Sequence, residues 1–116
     1  PEDDLAAAYV PERGDIVWLT FDPLAGHEQA GHRPGLVLSP AAYNGRRGMM
    51  LCCPITSQVK GYPFEVVLTD DSDVNGAVLA DQIKCLDWRA RKAKKKGRAS
   101  PQVVRDTLNK LGTLLD

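Results

Sequence analysis

The sequence has no net charge, because its 15 Lys and Arg residues equal its 15 Asp and Glu residues in 116 positions. A chain without excess positive charge does not bind nucleic acid through overall charge, so an anionic partner must be bound by a local cluster of cations. The sequence also lacks the run of about 18 apolar residues typical of a membrane-spanning helix. Its acidic start does not resemble a secretion signal. These absences predict a soluble, cytoplasmic protein without a membrane partner.

Cysteine and histidine are scarce, with three and two residues respectively. Cys52, Cys53 and Cys85 are an odd number and lack metal-ligand spacing, which predicts reduced core thiols rather than disulfides. Adjacent Cys52 and Cys53 would point to opposite faces of a strand. Residues 71–82 resemble the start of a calcium-binding loop, but Gln82 stands where a bidentate Glu is needed. We therefore expect neither a metal ion nor a cofactor.

Five segments rich in Val, Ile, Leu and aromatic residues predict strands. They are Asp15 to Phe21, Gly35 to Ser39, Met49 to Ile55, Phe64 to Thr69 and Ala77 to Trp88. Turn-forming residues separate them. Short strands at this spacing predict a mainly β (α+β) fold, a small barrel of about five strands. We expect one domain over residues 10–116 behind a flexible extension, residues 1–9.

A C-terminal helix is predicted from Ser100, a preferred cap residue, followed by Pro101 at the first helical turn. Its expected apolar face contains Val104, Leu108, Leu111 and Leu115, which recur at helical spacing. This helix would close the barrel. The two tryptophans, Trp18 and Trp88, lie within strand patterns, which favours core or interface positions for them.

The segment from Glu28 to Pro34 combines a carboxylate, an amide, an imidazole and a guanidinium in one glycine-containing loop. Arg33 offers a planar set of donors that matches phosphate oxygens, whereas Glu28 and His32 are suited to proton transfer. Arg33 precedes Pro34, which favours an extended backbone and a stiff attachment point. The segment therefore predicts an active or binding site, with an ordinary charged surface loop as the alternative.

Thr56 and Ser57 end the third predicted strand, where a hydroxyl can donate to a phosphoryl oxygen, although such positions are also common turn sites. If successive strands run up and down, Thr56 returns to the end of the sheet that carries Arg33. The fifth strand would bring the basic run 89–98 to this end and leave the acidic turn 70–75 at the other. This arrangement predicts a basic pole that attracts a polyanion, with a solvated basic loop as the alternative.

Ordered blocks along nearly the whole chain resemble the MazF toxins of bacterial toxin–antitoxin systems. The agreeing blocks are Gly14 to Trp18, Phe21 to Pro23, Glu28 to Pro34, Val37 to Pro40, Lys60 to Val66, Ala80 to Lys84 and Trp88 to Arg91. The resemblance implies an SH3-like barrel, a homodimer, and an endoribonuclease that cuts single-stranded RNA without a metal. It also implies a MazE-like antitoxin partner, and an ACA-containing target by analogy.

The resemblance also implies roles for individual residues. The family's catalytic arginine and threonine correspond to Arg33 and Thr56. Supporting or RNA-binding positions correspond to Glu28, Gln29, His32, Ser57, Lys60, Lys84, Arg89 and Arg91. Two other classes remain open at this point: a CcdB-like gyrase-poisoning toxin on a similar barrel, and a non-catalytic RNA-binding module that uses the basic run.

Overall fold

The computed structural model describes residues 8–21, 32–69 and 72–116. Seven strands and two α-helices make up this part of the chain. The strands are β1 (Asp15–Thr20), β2 (His32–Val37), β3 (Met49–Thr56), β4 (Glu65–Val67), β5 (Ala77–Leu79), β6 (Lys84–Asp87) and β7 (Lys94–Arg98). The helices are α1 (Ala41–Arg47) and α2 (Pro101–Thr113), and a short 3-10 turn spans Ala80–Gln82.

The strands pair in the order β4-β5-β3-β2-β1-β7, and β6 pairs with the first half of β3. Every pairing in this sheet is antiparallel. The predicted class, a mainly β fold with a C-terminal helix, is confirmed. Within the described residues β4 and β7 do not pair with each other, so the barrel is not closed by a continuous ladder.

Two apolar clusters lie on the two faces of the central strands β1, β2 and β3. One contains Ile16, Leu36 and Cys53, and the other contains Val17 and Cys52. Since neighbouring strand residues point to opposite faces, the cysteine pair divides between the clusters as predicted. Both of these thiols are free and buried.

The third thiol, Cys85, is free but exposed, so the prediction that it belongs to the core was wrong. It lies on β6, and its neighbour Leu86 faces the core instead. The tryptophans also differ, since Trp88 is buried whereas Trp18 is 40% exposed.

The predicted up-and-down order holds only for β1, β2 and β3. After Thr56 the chain runs back along the sheet without forming a strand, so β4 runs parallel to β3 and β5 inserts between them. The turn between β4 and β5 therefore lies at the Thr56 end of β3. The predicted fifth strand is divided by the 3-10 turn into β5 and β6 and finishes beside Met49, at the other end of β3.

Helix α1 and strand β7 were not predicted. Asn44-Gly45 is typical of a turn, yet Asn44 lies buried in α1, where its side chain bonds the carbonyl oxygens of Pro11 and Ser39 at 2.7 and 2.9 Å. Strand β7 consists of four basic residues and Gly97 from the run 89–98, and it pairs with β1 at the edge of the sheet. Lysine on an edge strand opposes pairing with another sheet.

Helix α2 begins as predicted, because the Ser100 side chain accepts a hydrogen bond of 3.2 Å from the Val103 amide. Its buried positions, however, are Val103 and Thr107. The predicted apolar face is correct only in part, since Leu115 lies beyond the helix and is 77% exposed. Neither helix in the described ranges is long and apolar enough to cross a membrane.

Candidate active site

The candidate site lies where β1 and β3 end and β2 begins. The ladder between β2 and β3 pairs Val37 with Cys52 and Gly35 with Pro54. The ladder ends there, and Arg33 and Thr56 each lie two residues beyond its last pair, at the same end of the sheet. Both residues are partly buried. The two residues with predicted catalytic roles thus belong to neighbouring strand ends.

Beyond Gly35 and Pro54 the two strands follow different partners. Strand β2 continues along β1, where Leu19 pairs with Arg33, while β3 continues along β5, where Ala77 pairs with Thr56. Each of the two strand ends is therefore held by a different neighbour, β1 for β2 and β5 for β3.

Gly76 fixes the position of the Thr56 backbone. Its φ is +129°, and a Cβ there would lie 2.1 Å from the Thr56 carbonyl oxygen. Only glycine combines this backbone conformation with so close an approach. The start of β5 is thereby pressed against the end of β3.

The Thr56 hydroxyl has a defined local partner. Its Oγ1 accepts a hydrogen bond of 3.1 Å from the Gln58 amide, an arrangement by which Thr side chains stabilise turns. A hydroxyl that accepts one such bond still has its own proton to donate. The Thr56 hydroxyl can therefore still donate a hydrogen bond to a ligand.

A pocket of about 430 Å³ adjoins Thr56 on the side away from β2. Its lining combines polar side chains with aromatic rings: Thr56, Gln58, Lys60, Tyr62, Pro63, Phe64, Glu65, Leu79, Asp81 and Gln82. The Lys60 ammonium lies 5.9 Å from the centre of the Tyr62 ring, which is itself 61% exposed. Amides, a cation and exposed rings are groups that bind single-stranded bases and phosphates. Ser57 is exposed beside this pocket but is not among its lining residues.

His32 is placed apart from the Arg33 side chain. As the neighbour of Arg33 on β2, it points to the opposite face of the strand. There its ring stacks on Trp18 at 6.1 Å between ring centres, and Nε2 lies 3.5 Å from the Thr20 hydroxyl. The structure thus makes His32 part of an exposed Trp–His pair next to the site.

The basic residues 89–98 do not gather at one end of the sheet, so the predicted basic pole is wrong. Arg91 reaches the end of β1, where its guanidinium donates to the carbonyl oxygens of Thr20 and Phe21. The chain then runs back along β1, and Arg98 forms an ion pair of 2.5 Å with the buried Asp15 at the far end. The basic run therefore spans the length of β1 instead of gathering at one end.

The predicted position of the acidic turn is also wrong. This turn connects β4 to β5 and lies at the Thr56 end of β3, not at the opposite end. Its described residue Asp73 packs beside β7, with a carboxylate oxygen 2.9 Å from the position of a Cβ on Gly97. The one acidic residue of this turn that the structure describes therefore lies against the basic strand β7 and not at the opposite end of the sheet.

The other two predicted cations have different surroundings. The Arg89 guanidinium lies 4.6 Å from the centre of the Trp88 ring and is exposed. Lys84 is exposed on β6 opposite Cys52, four residues from Thr56 along β3, or about 13 Å at the rise of a strand. Neither residue lines the pocket beside Thr56.

Two of the predicted positions, Glu28 and Gln29, lie outside the described residues. Among the residues that are described, no group of three or more His, Cys, Asp or Glu side chains is arranged to hold a metal ion. Sequence reasoning missed Glu65 and Tyr62, which line the pocket. The sequence marks Gly61 only as a turn residue, and in the structure its φ is +80°.

Comparison with known proteins connects this site to a family. Residues 12–115 match the family described as the PemK-like, MazF-like toxin of type II toxin–antitoxin systems. The chain is 50% identical over 111 residues to the endoribonuclease toxin MazF of Escherichia coli (strain K12), covering 96% of this chain and 99% of that one.

Solved structures indicate the same family. MazF from Deinococcus radiodurans superimposes with a TM-score of 0.86 at 56% identity, covering 92% of this chain and 97% of that one. The chain also resembles a MazE–MazF structure from the same organism, with a TM-score of 0.85 at 56% identity over 92% of this chain and 96% of that one.

Proposed function

The chain belongs to the PemK-like, MazF-like toxins of type II toxin–antitoxin systems and is an endoribonuclease of that family, and we propose that Arg33 and Thr56 are its catalytic pair. The observation that supports this proposal is the ladder of β2 and β3, which ends at Gly35 opposite Pro54 and leaves Arg33 and Thr56 two residues beyond it, at one end of the sheet. The substrate proposed is single-stranded RNA, cut at a short sequence without a metal ion.

The reaction uses a nucleophile that RNA itself carries. The ribose 2′-hydroxyl attacks the adjacent phosphorus, the bond to the 5′-oxygen of the next nucleotide breaks, and the products are a 2′,3′-cyclic phosphate and a 5′-hydroxyl. The protein must hold the reacting atoms in line, accept the 2′ proton, return a proton to the leaving oxygen, and stabilise charge on the phosphoryl oxygens. A covalent enzyme intermediate is not required.

Arg33 and Thr56 suit the electrostatic part of this task. The Arg33 guanidinium can donate two parallel hydrogen bonds to phosphoryl oxygens, and the Thr56 hydroxyl, aligned by the Gln58 amide, can donate a third. Because arginine holds its proton at any physiological pH, we assign it charge stabilisation and not proton removal.

For proton removal we favour Glu28 over His32. The alternation of β2 directs His32 to the face opposite Arg33, where it stacks on Trp18. Glu28 precedes Arg33 by five residues in the sequence and carries a carboxylate suited to accepting the proton. Gln29, Ser57, Lys60, Lys84 and Arg89 are proposed as RNA contacts outside the reacting centre.

The proposed biological setting is that of the family. A MazE-like antitoxin is the expected protein partner, since the chain resembles MazF in MazE–MazF structures. We also propose a homodimer, a cytoplasmic location and one toxin domain over residues 10–116. Tyr9 lies just before that boundary but contacts the domain, because its hydroxyl donates a hydrogen bond of 2.5 Å to Asp15.

The test uses a short single-stranded RNA in EDTA beside the same oligonucleotide with one 2′-deoxy sugar at the cut. We expect cleavage of the first and protection of the second, because only the first carries the nucleophile. Arg33→Ala and Thr56→Val should each lower kcat by about 100-fold or more, the usual effect of losing one donor to a developing charge.

Arg105→Ala, a change at an exposed arginine of α2, serves as the control and should retain activity. Full activity of the doubly substituted Arg33→Ala, Thr56→Val protein would refute the catalytic pair. If the protein binds RNA without cutting it, the non-catalytic RNA-binding module is supported instead. If it neither binds nor cuts RNA, the gyrase-poisoning toxin is supported.

A further inference from the structure

Glu65 is the one largely buried carboxylate at the candidate pocket, with 9% of its surface exposed. Its Oε1 accepts hydrogen bonds from the amides of Lys60 and Gly61 at 3.1 and 2.8 Å, and its Oε2 lies 3.2 Å from the Lys60 amide. The Glu65 amide in turn donates to the Tyr62 carbonyl oxygen at 3.0 Å. One side chain thus closes the segment that joins β3 to β4 onto the start of β4.

This arrangement depends on an acceptor at that position. Two successive backbone amides point into one concavity, because Gly61 adopts a φ of +80°, and such concavities bind anions. Here the anion belongs to the protein itself. Without the carboxylate, two backbone donors would be left facing a partly buried site, which favours a different conformation of the segment.

The same segment carries groups of the proposed active site. Its first hydrogen bond runs from the Gln58 amide to the Thr56 hydroxyl, and its Lys60 side chain projects over Tyr62 beside the pocket. Only three residues separate Thr56 from Lys60. A shift of the Lys60 and Gly61 backbone would therefore be transmitted to the Gln58 amide and to the direction of the Thr56 hydroxyl.

We propose that Glu65 is a positioning residue for RNA cleavage, which sets the conformation of residues 57–62 and so directs the Thr56 hydroxyl toward the substrate. Its own oxygens are occupied by backbone amides and do not touch RNA. This inference rests on the proposed function, because it assigns Glu65 an effect that passes through Thr56.

Glu65→Gln is the informative variant, since it has nearly the same volume but replaces one acceptor oxygen with a donor. We expect kcat to fall by about tenfold, up to the 100-fold that small misplacements can cause, with KM changed by less than about threefold. Glu65→Asp shortens the side chain by one methylene and so moves the carboxylate away from the amides, which should lower kcat in the same way. This variant replaces Glu65→Gln in the test if the Gln variant does not fold.

Glu12→Ala is a matched control. Glu12 also accepts two backbone hydrogen bonds, from Arg13 at 3.1 Å and Ala41 at 2.8 Å, but at the start of α1 and outside the pocket. It should lower the melting temperature and leave kcat unchanged. Comparison with Glu65→Gln at matched fractions of folded protein separates positioning from a general loss of stability.

A double-mutant cycle with Thr56→Val completes the test. If Glu65 acts through Thr56, Glu65→Gln should change the residual kcat of Thr56→Val less than about twofold. A Glu65→Gln protein with wild-type kcat, or one whose tenfold loss recurs in the Thr56→Val background, overturns the inference. An active Thr56→Val protein would instead reject the catalytic pair, so the two failures are distinguishable.

Discussion

Arg91→Gln tests whether a conspicuous cation of the site binds RNA or holds the fold. The Arg91 guanidinium donates to two carbonyl oxygens where β1 ends, those of Thr20 and Phe21. Hydrogen bonds from a charged donor contribute about 1.5–3 kcal/mol each, and the shorter Gln side chain can keep one of them at most. We expect the free energy of unfolding to fall by about 2 kcal/mol, measured by urea denaturation.

The same change should impair cleavage without altering its dependence on salt. Thr20 pairs with His32 at the start of β2, so a loosened end of β1 displaces Arg33, and kcat should fall by about tenfold. Each phosphate contact on a single strand contributes about 0.7 to the slope of log affinity against log salt. A guanidinium bound to carbonyl oxygens contributes none of this, so the slope of kcat/KM measured from low to moderate KCl should match that of the wild type.

Lys92→Gln removes the same charge from an exposed position of the same turn and should change stability by less than about 0.5 kcal/mol. The opposite result has two parts: Arg91→Gln changes the free energy of unfolding no more than Lys92→Gln does, and it lowers the salt slope by about 0.7. In that case Arg91 leaves the carbonyl oxygens in solution and binds a phosphate.

Two further predictions concern stability. Asn44→Ala should lower the free energy of unfolding by about 3 kcal/mol, because it leaves two backbone carbonyl oxygens and the Ser39 hydroxyl without this hydrogen-bond partner in a buried site. Urea denaturation measures the loss, with the exposed Asn109→Ala as the control. Equal losses in the two variants would contradict the prediction. Burial, and then the hydrogen bond to Asp15, raises the pKa of Tyr9 far above its ordinary value of 10.0. The protonated phenol is thus favoured in the folded state, so the stability it contributes is complete below about pH 10 and is lost as the pH rises further. Tyr9→Phe should flatten the fall in the free energy of unfolding between about pH 10 and 11, and an unchanged slope would refute this.

The strands that frame the active site were predictable because their residues answer to local rules. Strands β1 and β3 alternate between two apolar clusters, so Val17 and Cys52 face one way while Ile16 and Cys53 face the other. Because β1 and β3 are antiparallel to β2, both end where β2 begins, so strand polarity alone places Arg33 and Thr56 at the same end of the sheet.

The remaining elements depend on contacts that a local pattern does not contain. Strand β7 has weak strand propensity and forms because β1 offers it an unpaired edge, and Arg98 at its end reaches the buried Asp15. Helix α1 contains a turn-like Asn-Gly pair, but the buried hydrogen bonds of Asn44 outweigh that preference. Tertiary partners determine both elements.

The path of the chain after Thr56 is the decisive example. Residues 57–64 have no strand periodicity, so the sequence offers no reason to place β4 parallel to β3 with β5 between them. In the folded chain Glu65 closes this segment onto the start of β4, because its side chain accepts hydrogen bonds from the amides of Lys60 and Gly61. The residues proposed to carry the chemistry can therefore be identified from their types and strand ends, whereas the residue proposed to position one of them is an acidic side chain whose partners are backbone amides. Side-chain pattern alone does not identify such a residue, because any sequence supplies those amides.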